Sequence, residues 1–260
     1  MATTNPPVDE TGTKPSIALL FDCDNTLVRS EEIAFDVCAS LINTLLAQHV
    51  PNPQIYTGRS LQAQFVGQNF SGMLTQIEKL YNFSLPPAEK EELIKREVTT
   101  ITQELSTRAK PCLGANEKLK QLQKEGYEFA VVSSSAKPRV LAALKKAGQM
   151  EFFDEDLIFS AMTSLPVPTS KPDPAIYMFA CEKLGRRPAE CIAVEDSVSG
   201  VRSAVAAGIR TIGYLGAYEV EEREEKGREL KKYGAKVCIE HWEGMDGAIS
   251  ALGAISALGA

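Results

Sequence analysis

The chain has 260 residues, of which 44% are hydrophobic and 24% are charged, a composition typical of a globular protein. Its 28 basic and 34 acidic residues give a formal net charge of −6, which argues against a nucleic-acid or anionic-membrane partner because such partners favour a basic surface. The two histidines, His49 and His241, do not lie near a serine or cysteine nucleophile motif. This argues against a histidine-based triad and a multi-histidine zinc site.

The beginning of the chain, residues 1–14, is polar and rich in Pro and Thr, a pattern that predicts a flexible tail. It has neither the basic segment nor the apolar core of a signal peptide. No run in the chain approaches the roughly 18 apolar residues of a membrane span. The six cysteines are scattered without a Cys-x-x-Cys pair, which is typical of reduced thiols. We therefore expect a cytoplasmic protein with no membrane partner.

Short apolar runs that end abruptly in polar residues recur along the chain, as expected for strands buried on both faces. The first, residues 16–21, ends in Asp-Cys-Asp-Asn-Thr. The others are residues 127–132, 156–160, 191–194, 210–214 and 236–239. Helical spacing of apolar residues fills the gaps, with Gly126, Gly185 and Gly208 as helix ends. This alternation predicts an α/β fold in which helices cover both faces of a parallel sheet.

Residues 29–107 differ from the rest, because apolar residues recur at helical spacing and no strand-like run interrupts them. We expect an all-helical module inserted into a core formed by residues 15–28 and 108–260. The mixed-charge run at 218–233 predicts a solvated surface helix. The carboxy terminus repeats AISALG at 248–253 and 254–259, which we interpret as an apolar helix or a tail.

Two carboxylates, Asp22 and Asp24, directly follow the first predicted strand. Like charges in a cleft repel, so they need a cation or a shared proton; the alternative is a pair of turn-forming or helix-capping aspartates. Glu195 and Asp196 follow another buried run in the same way. Parallel strands bind ligands at their carboxyl ends, and Mg²⁺ prefers carboxylate oxygens. These residues therefore indicate an acidic metal site at one sheet edge.

Two further polar groups accompany the carboxylates. Ser133 stands at a third strand end, and Lys171 lies in a Ser-Lys-Pro-Asp-Pro segment ahead of a proline-started helix. An acidic metal site, a hydroxyl donor and a lysine together describe a phosphoryl-transfer site, where positioning and charge neutralisation provide most of the catalysis.

The motifs DCDNT, VVSSS, SKPDP and VEDSVSGV, in this order and spacing, resemble those of the haloacid dehalogenase superfamily of phosphohydrolases. The chain is most similar to the β-phosphoglucomutase-like branch of sugar-phosphate phosphatases, and the resemblance covers about residues 15–245. It implies a Rossmann-like, doubly wound parallel core with an inserted helical cap, dependence on Mg²⁺ and an aspartyl-phosphate intermediate.

The resemblance also implies a role for each carboxylate. Asp22 becomes the nucleophile, and Asp24 becomes the general acid for the leaving alcohol and then the base for water. Asp22, the backbone carbonyl of Asp24 and Asp196 would hold Mg²⁺, with Glu195 close by. Because dehalogenating members lack an acid at the position of Asp24, the resemblance argues against dehalogenation.

Other residues are expected around the phosphate. Ser133 and Lys171 would bind phosphate oxygens, Thr26 would fix the first loop, and the backbone of Ser134 could supply another donor. The chain departs from the family at Asn25, where this branch commonly has glycine. Asparagine tolerates left-handed backbone geometry better than most residues, so we expect the loop to be preserved.

The cap loop that reads the leaving group aligns with residues 65–70, which places Gly67, Gln68 and Asn69 in the substrate-binding set. In the mutases and in several acid-sugar phosphatases this loop carries Lys or Arg, whereas this chain has neither there. A neutral polar loop predicts a neutral sugar or polyol as the leaving group.

The leading hypothesis is therefore a Mg²⁺-dependent phosphomonoesterase acting on a small sugar or polyol phosphate, as a monomer or a weak homodimer. Three alternatives stay open: a phosphosugar mutase of the same fold, a phosphatase for an isoprenoid-type ester favoured by Phe65 and Phe70, and a catalytically silent binding protein. The presence of a carboxylic acid at position 24 argues against a catalytically silent protein, because a binding protein has no need of a general acid.

Overall fold

The computed structural model describes residues 17–65 and 68–257, so the predicted tail at 1–14 lies outside the described residues. The described chain contains eight strands: β1 (Ala18–Phe21), β2 (Val28–Arg29), β3 (Lys110–Pro111), β4 (Glu128–Ser133), β5 (Ile158–Ser160), β6 (Cys191–Glu195), β7 (Arg210–Tyr214) and β8 (Val237–Ile239). Its helices are α1 (Glu31–His49), α2 (Gly58–Gln64), α3 (Phe70–Tyr81), α4 (Pro87–Arg108), α5 (Ala115–Lys124), α6 (Lys137–Lys146), α7 (Ala175–Leu184), α8 (Val198–Ala206), α9 (Val220–Lys232) and α10 (Met245–Ala257).

Six of the strands form one parallel sheet in the order β5-β4-β1-β6-β7-β8. All six apolar runs identified in the sequence are strands of this sheet, so the predicted α/β fold is confirmed. The first strand, β1, is completely buried and pairs with β4 on one side and β6 on the other. The order reverses direction around β1, which is where a doubly wound sheet binds ligands.

Strand bounds differ from the sequence prediction where local hydrogen bonding competes with the sheet. The predicted strand at 156–160 begins at Ile158, because a 3₁₀ turn occupies Glu155–Leu157. The Asp154 carboxylate accepts a hydrogen bond from the backbone N–H of Asp156 at 3.1 Å and so caps that turn. An apolar run alone does not report such a cap.

The helices around the sheet end at the glycines that the sequence marked. Gly126, Gly185 and Gly208 have φ of 82°, 62° and 80°, the left-handed conformation that glycine adopts without steric cost. The charged run near the end of the chain forms α9, as predicted. The apolar carboxy-terminal segment is the helix α10, with Leu252 fully buried.

The chain divides into two compact units, one with residues up to Arg29 and from Lys110 onward, the other Ser30–Ala109. Within the second unit, the described residues form the four helices α1 to α4 and no strand. The antiparallel pair β2–β3 in the first unit was not predicted from the sequence. Two-residue strands are too short to show an alternating pattern. No described helix has the length and apolarity needed to cross a membrane.

We expect the buried face of α7 to contribute far more stability than its exposed face. Ile176 is fully buried, whereas Met178, two residues along the same helix, is 57% exposed. Ile176→Ala should lower the free energy of unfolding by about 2–5 kcal/mol, and the matched control Met178→Ala by less than about 0.5 kcal/mol. Urea titrations of both variants measure this, and equal losses would contradict the assigned packing.

Candidate active site

The carboxyl ends of β1, β4 and β6 meet at one edge of the sheet, and each is followed by a polar residue. The backbone N–H of Asp22, just past β1, donates to the carbonyl of Val194 at 3.0 Å, so the register carries the first carboxylate to the end of β6. Glu195 is the last residue of β6, and Asp196 follows it. The parallel pairing therefore brings together carboxylates that are more than 170 residues apart in sequence.

The buried ammonium of Lys171 organises this edge. Its Nζ lies 2.6 Å from Asp22 Oδ1, 2.6 Å from Glu195 Oε1 and 2.8 Å from the carbonyl of Val132. An ammonium has three protons, so these contacts use all of its donors. The backbone N–H of Lys171 donates to Ser134 Oγ at 3.0 Å, which ties the lysine to the end of β4.

Burial and the neighbouring opposite charges shift the pKa values of Asp22 and Lys171 in opposite directions. Burial raises the pKa of Asp22 to about 7, although the neighbouring Lys171 ammonium lowers it. Burial lowers the pKa of Lys171, but the carboxylates of Asp22 and Glu195 outweigh it, and the net pKa is raised. Lys171 is therefore a permanent cation at physiological pH, whereas Asp22 titrates near neutrality when no metal ion is bound.

Asp22, Glu195 and Asp196 each offer a carboxylate oxygen within 4.8 Å of the other two, and all three residues are buried. When all three are ionised, the single ammonium leaves two negative charges uncompensated in a low-dielectric site, which is strongly unfavourable. Within the described chain, Glu195 Oε2 is buried and accepts no hydrogen bond. The donor set, the residual charge and this unused oxygen all fit a hard divalent cation.

Two neighbours fix the Glu195 carboxylate. The hydroxyl of Tyr177, itself fully buried on α7, donates a hydrogen bond to Glu195 Oε1. On the other side, Gly200 in the first turn of α8 leaves room for the carboxylate, because a Cβ at this position would lie 1.7 Å from Glu195 Oε2. The glycine of VEDSVSGV is thus required by close packing against the acidic cluster.

The second carboxylate of the DCD motif has different partners. Asp24 Oδ2 accepts a hydrogen bond from Ser135 Oγ at 2.8 Å, and Asp24 Oδ1 accepts one from Arg139 Nη2 at 3.1 Å. Neither Ser135 nor Arg139 was predicted from the sequence as a site residue. The third serine of VVSSS was a visible signal, but nothing in the sequence shows that a side chain on α6 turns back toward Asp24.

The remaining predicted residues of the core unit also lie at this edge. Thr26 Oγ1 donates to Asp196 Oδ1 at 3.5 Å, so the first loop contacts the acidic cluster. Ser133 is buried, and its Oγ accepts a hydrogen bond from the backbone N–H of Ser135 at 3.0 Å. Asn25 adopts φ 59°, which confirms that asparagine takes the left-handed conformation expected at this position.

The predicted cap residues belong to the helical unit. Gly67 lies outside the described residues. Gln68 and Asn69 are exposed, and Asn69 Oδ1 caps α3 by accepting from the backbone N–H of Gly72 at 2.9 Å. Asn69 therefore has a structural role in the helix start, and the predicted role of this loop in reading the leaving group stays a prediction.

Comparison with known proteins gives one family. Residues 19–214 match the family model of haloacid dehalogenase-like hydrolases. The chain is 29% identical to a phosphoglycolate phosphatase from Pectobacterium atrosepticum over 204 residues, which are 78% of this chain and 82% of that protein. It is 28% identical over 196 residues, 75% of this chain, to the chloroplastic protein SUPPRESSOR OF QUENCHING 1 from Arabidopsis thaliana, but spans only 17% of that protein's length.

Solved structures give the same result. A family hydrolase from Deinococcus radiodurans, described with bound phosphate and sodium, is 28% identical with a TM-score of 0.69. The alignment covers 93% of this chain and 98% of that one.

We expect divalent-cation binding to be linked to a proton on Asp22. Because the pKa of Asp22 is raised to about 7, the metal-free carboxyl holds a proton below this pH, and a cation must displace it. The apparent affinity for Mg²⁺ should fall by up to about tenfold for each pH unit below 7 and level off above it. Calorimetric titrations from pH 5.5 to 8.5 measure this, and an affinity independent of pH over that range would refute the assignment.

Proposed function

The chain belongs to the haloacid dehalogenase-like hydrolases, and from this membership we propose that it is a Mg²⁺-dependent phosphomonoesterase acting on a small phosphorylated metabolite through an aspartyl-phosphate intermediate. We further propose a sugar or polyol phosphate as its substrate class. The phosphatase and the phosphate-bound hydrolase among its relatives support this reading.

One observation carries the proposal: the two carboxylates of the DCD motif are paired with different cations. Lys171 contacts Asp22 inside the acidic cluster, whereas Arg139 and Ser135 contact Asp24. A covalent phosphatase needs two such groups, a nucleophile and a separate acid–base. A binding protein would have no use for the second.

In the first step, an oxygen of Asp22 forms a bond to phosphorus while the bond from phosphorus to the alcohol oxygen breaks. Lys171 orients the attacking carboxylate through its contact with Oδ1. Asp24 gives a proton to the departing alkoxide, which leaves as an alcohol. In the second step, water attacks the phosphoryl group, Asp24 takes the proton, and Asp22 is released together with inorganic phosphate.

The residues that would hold Mg²⁺ are Asp22, Asp196 and the backbone carbonyl of Asp24, with Glu195 beside them. The ion supplies charge neutralisation for the phosphoryl group during transfer. Ser133 would donate its hydroxyl proton to a phosphate oxygen, since its Oγ already accepts from a backbone N–H. A contact from Lys171 to phosphate would require it to exchange one of its three present partners.

The alternatives differ in support. A mutase must hold a bisphosphate intermediate, and the neutral Gln68 and Asn69 offer no cation for the second phosphate. The isoprenoid alternative relied on Phe65 and Phe70, but both side chains are buried, at 3% and 5% exposure, which removes the reason for it. A panel of sugar, polyol, nucleotide and lipid phosphates, together with phosphoglycolate, tests the substrate class.

We predict that Asp22→Asn lowers turnover by about 10⁴-fold or more, because an amide is a poor nucleophile toward phosphorus. Acid-quenched wild type should carry one phosphoryl group on the peptide containing Asp22, and the variant should carry none. Mass spectrometry of quenched digests measures both. Normal phosphate release by the variant would refute the covalent mechanism.

The effect of Asp24→Asn should depend on the leaving group. With a sugar phosphate, loss of the acid should cost about 10²–10⁴-fold in rate, because the alkoxide is a poor leaving group. With p-nitrophenyl phosphate, the first step should be nearly unaffected, but water attack still lacks its base. Rapid-quench kinetics should then show a burst of up to one equivalent of p-nitrophenol. Equal losses on both esters without a burst would remove Asp24 from this role.

A further inference from the structure

Two residues, one between β4 and α6 and one in the first turn of α6, donate hydrogen bonds to the two oxygens of the Asp24 carboxylate. Ser135, two residues past the site serine Ser133, donates to one oxygen, and Arg139, in the first turn of α6, donates to the other. A carboxylate fixed at both oxygens has a single orientation, whereas a carboxylate with one anchor can still rotate. The arrangement therefore selects one position for the Asp24 side chain.

The two anchors are themselves held by the sheet and the helix. The backbone N–H of Ser135 donates to Ser133 Oγ at 3.0 Å, and its carbonyl accepts a hydrogen bond from Ser160 Oγ at 2.7 Å. These contacts attach Ser135 to both β4 and β5. The backbone N–H of Arg139 donates to the carbonyl of Ala136 at 2.9 Å, as part of the helix start. Asp24 is thus held by Ser135 and Arg139, which lie outside its own loop and are themselves fixed by β4, β5 and the start of α6.

Arg139 also separates the charges of the two carboxylates. All three protons of the Lys171 ammonium are used on Asp22, Glu195 and a backbone carbonyl, so this lysine has no donor for Asp24. Arg139 supplies the second cation, which contacts Asp24 Oδ1 at 3.1 Å. Asp24 is therefore paired with a cation that is not shared with the acidic cluster of Asp22, Glu195 and Asp196.

We propose that Arg139, together with Ser135, is a positioning residue that holds Asp24 at the leaving-group oxygen and thereby gives the enzyme its activity on alkyl phosphates. The proposal rests on the proposed function, because it assigns Asp24 the proton transfer. Proton transfer requires heavy-atom distances of about 2.6–3.2 Å, and small misplacements of a reacting group are costly. The leaving group of an aryl ester such as p-nitrophenyl phosphate needs little protonation. Its rate of phosphoryl transfer therefore depends on the rest of the site but not on the alignment of Asp24.

The test compares phosphoryl transfer from two esters in single-turnover experiments with the Mg²⁺-loaded protein. The esters are p-nitrophenyl phosphate and the alkyl phosphate that wild type hydrolyses fastest in the panel above. Arg139→Gln should slow transfer from the alkyl ester by about 10–100-fold, a part of the full acid–base contribution. It should change the first step with the aryl ester by less than about threefold. Arg139→Lys should recover part of the loss.

One control and two further variants separate positioning from damage to the fold. Lys146→Gln removes a positive charge from an exposed position at the end of the same helix and should leave both rates unchanged. Ser135→Ala removes the other anchor and should reproduce the loss that is confined to the alkyl ester. In the Asp24→Asn background, Arg139→Gln should have no further effect on the alkyl ester, because the two residues act as one unit.

The outcomes are distinguishable. Equal losses of Arg139→Gln on both esters, no loss on either, or full additivity with Asp24→Asn would overturn the positioning role while leaving the phosphatase intact. If wild type forms no phosphoenzyme on Asp22 from either ester, the proposed function fails and this inference fails with it. The positioning role is supported if Arg139→Gln slows transfer from the alkyl ester only, and if this effect vanishes in the Asp24→Asn background.

Discussion

The repulsion among three buried carboxylates is the constraint on which this structure depends. The parallel register of β1 and β6 forces Asp22, Glu195 and Asp196 to within 4.8 Å of one another, and such charges cannot be buried without compensation. Lys171 compensates part of the charge and uses its whole donor capacity to do so. The negative charge that is left uncompensated fits a divalent cation, which supports the proposed metal site at this sheet edge.

The same constraint explains why the two aspartates of one short motif can do different work. Asp22 lies within the cluster and shares its charge balance, whereas Asp24 is 32% exposed and paired with Arg139. Each carboxylate has its own cation, and the two cations come from different segments of the chain. Under the proposed mechanism, environment rather than residue type makes Asp22 the nucleophile and Asp24 the acid–base group.

The sequence predicted those parts of the structure that depend on one-dimensional pattern. Buried parallel strands read as apolar runs, and residues such as Asp22 and Glu195 follow them at visible strand ends, so the sheet and the core of the site were accessible. The sequence did not predict the roles of Ser135, Arg139 and Tyr177, because these roles depend on where a side chain on a neighbouring element points. The burial of phenylalanines in the helical unit was hidden for the same reason, since an apolar residue in a helix reads alike in a pocket and in a core.

The repulsion among the three carboxylates is tested most directly by the free energy of unfolding of Asp196→Asn compared with that of wild type, with and without Mg²⁺. If carboxylate repulsion dominates, the variant is the more stable protein without divalent cation, since it removes one charge from the cluster. Saturating Mg²⁺ should stabilise wild type by about 2.7 kcal/mol at a hundredfold excess over the dissociation constant and the variant by clearly less, so that the order reverses. A variant that is less stable without the cation and gains as much from Mg²⁺ as wild type would contradict the account.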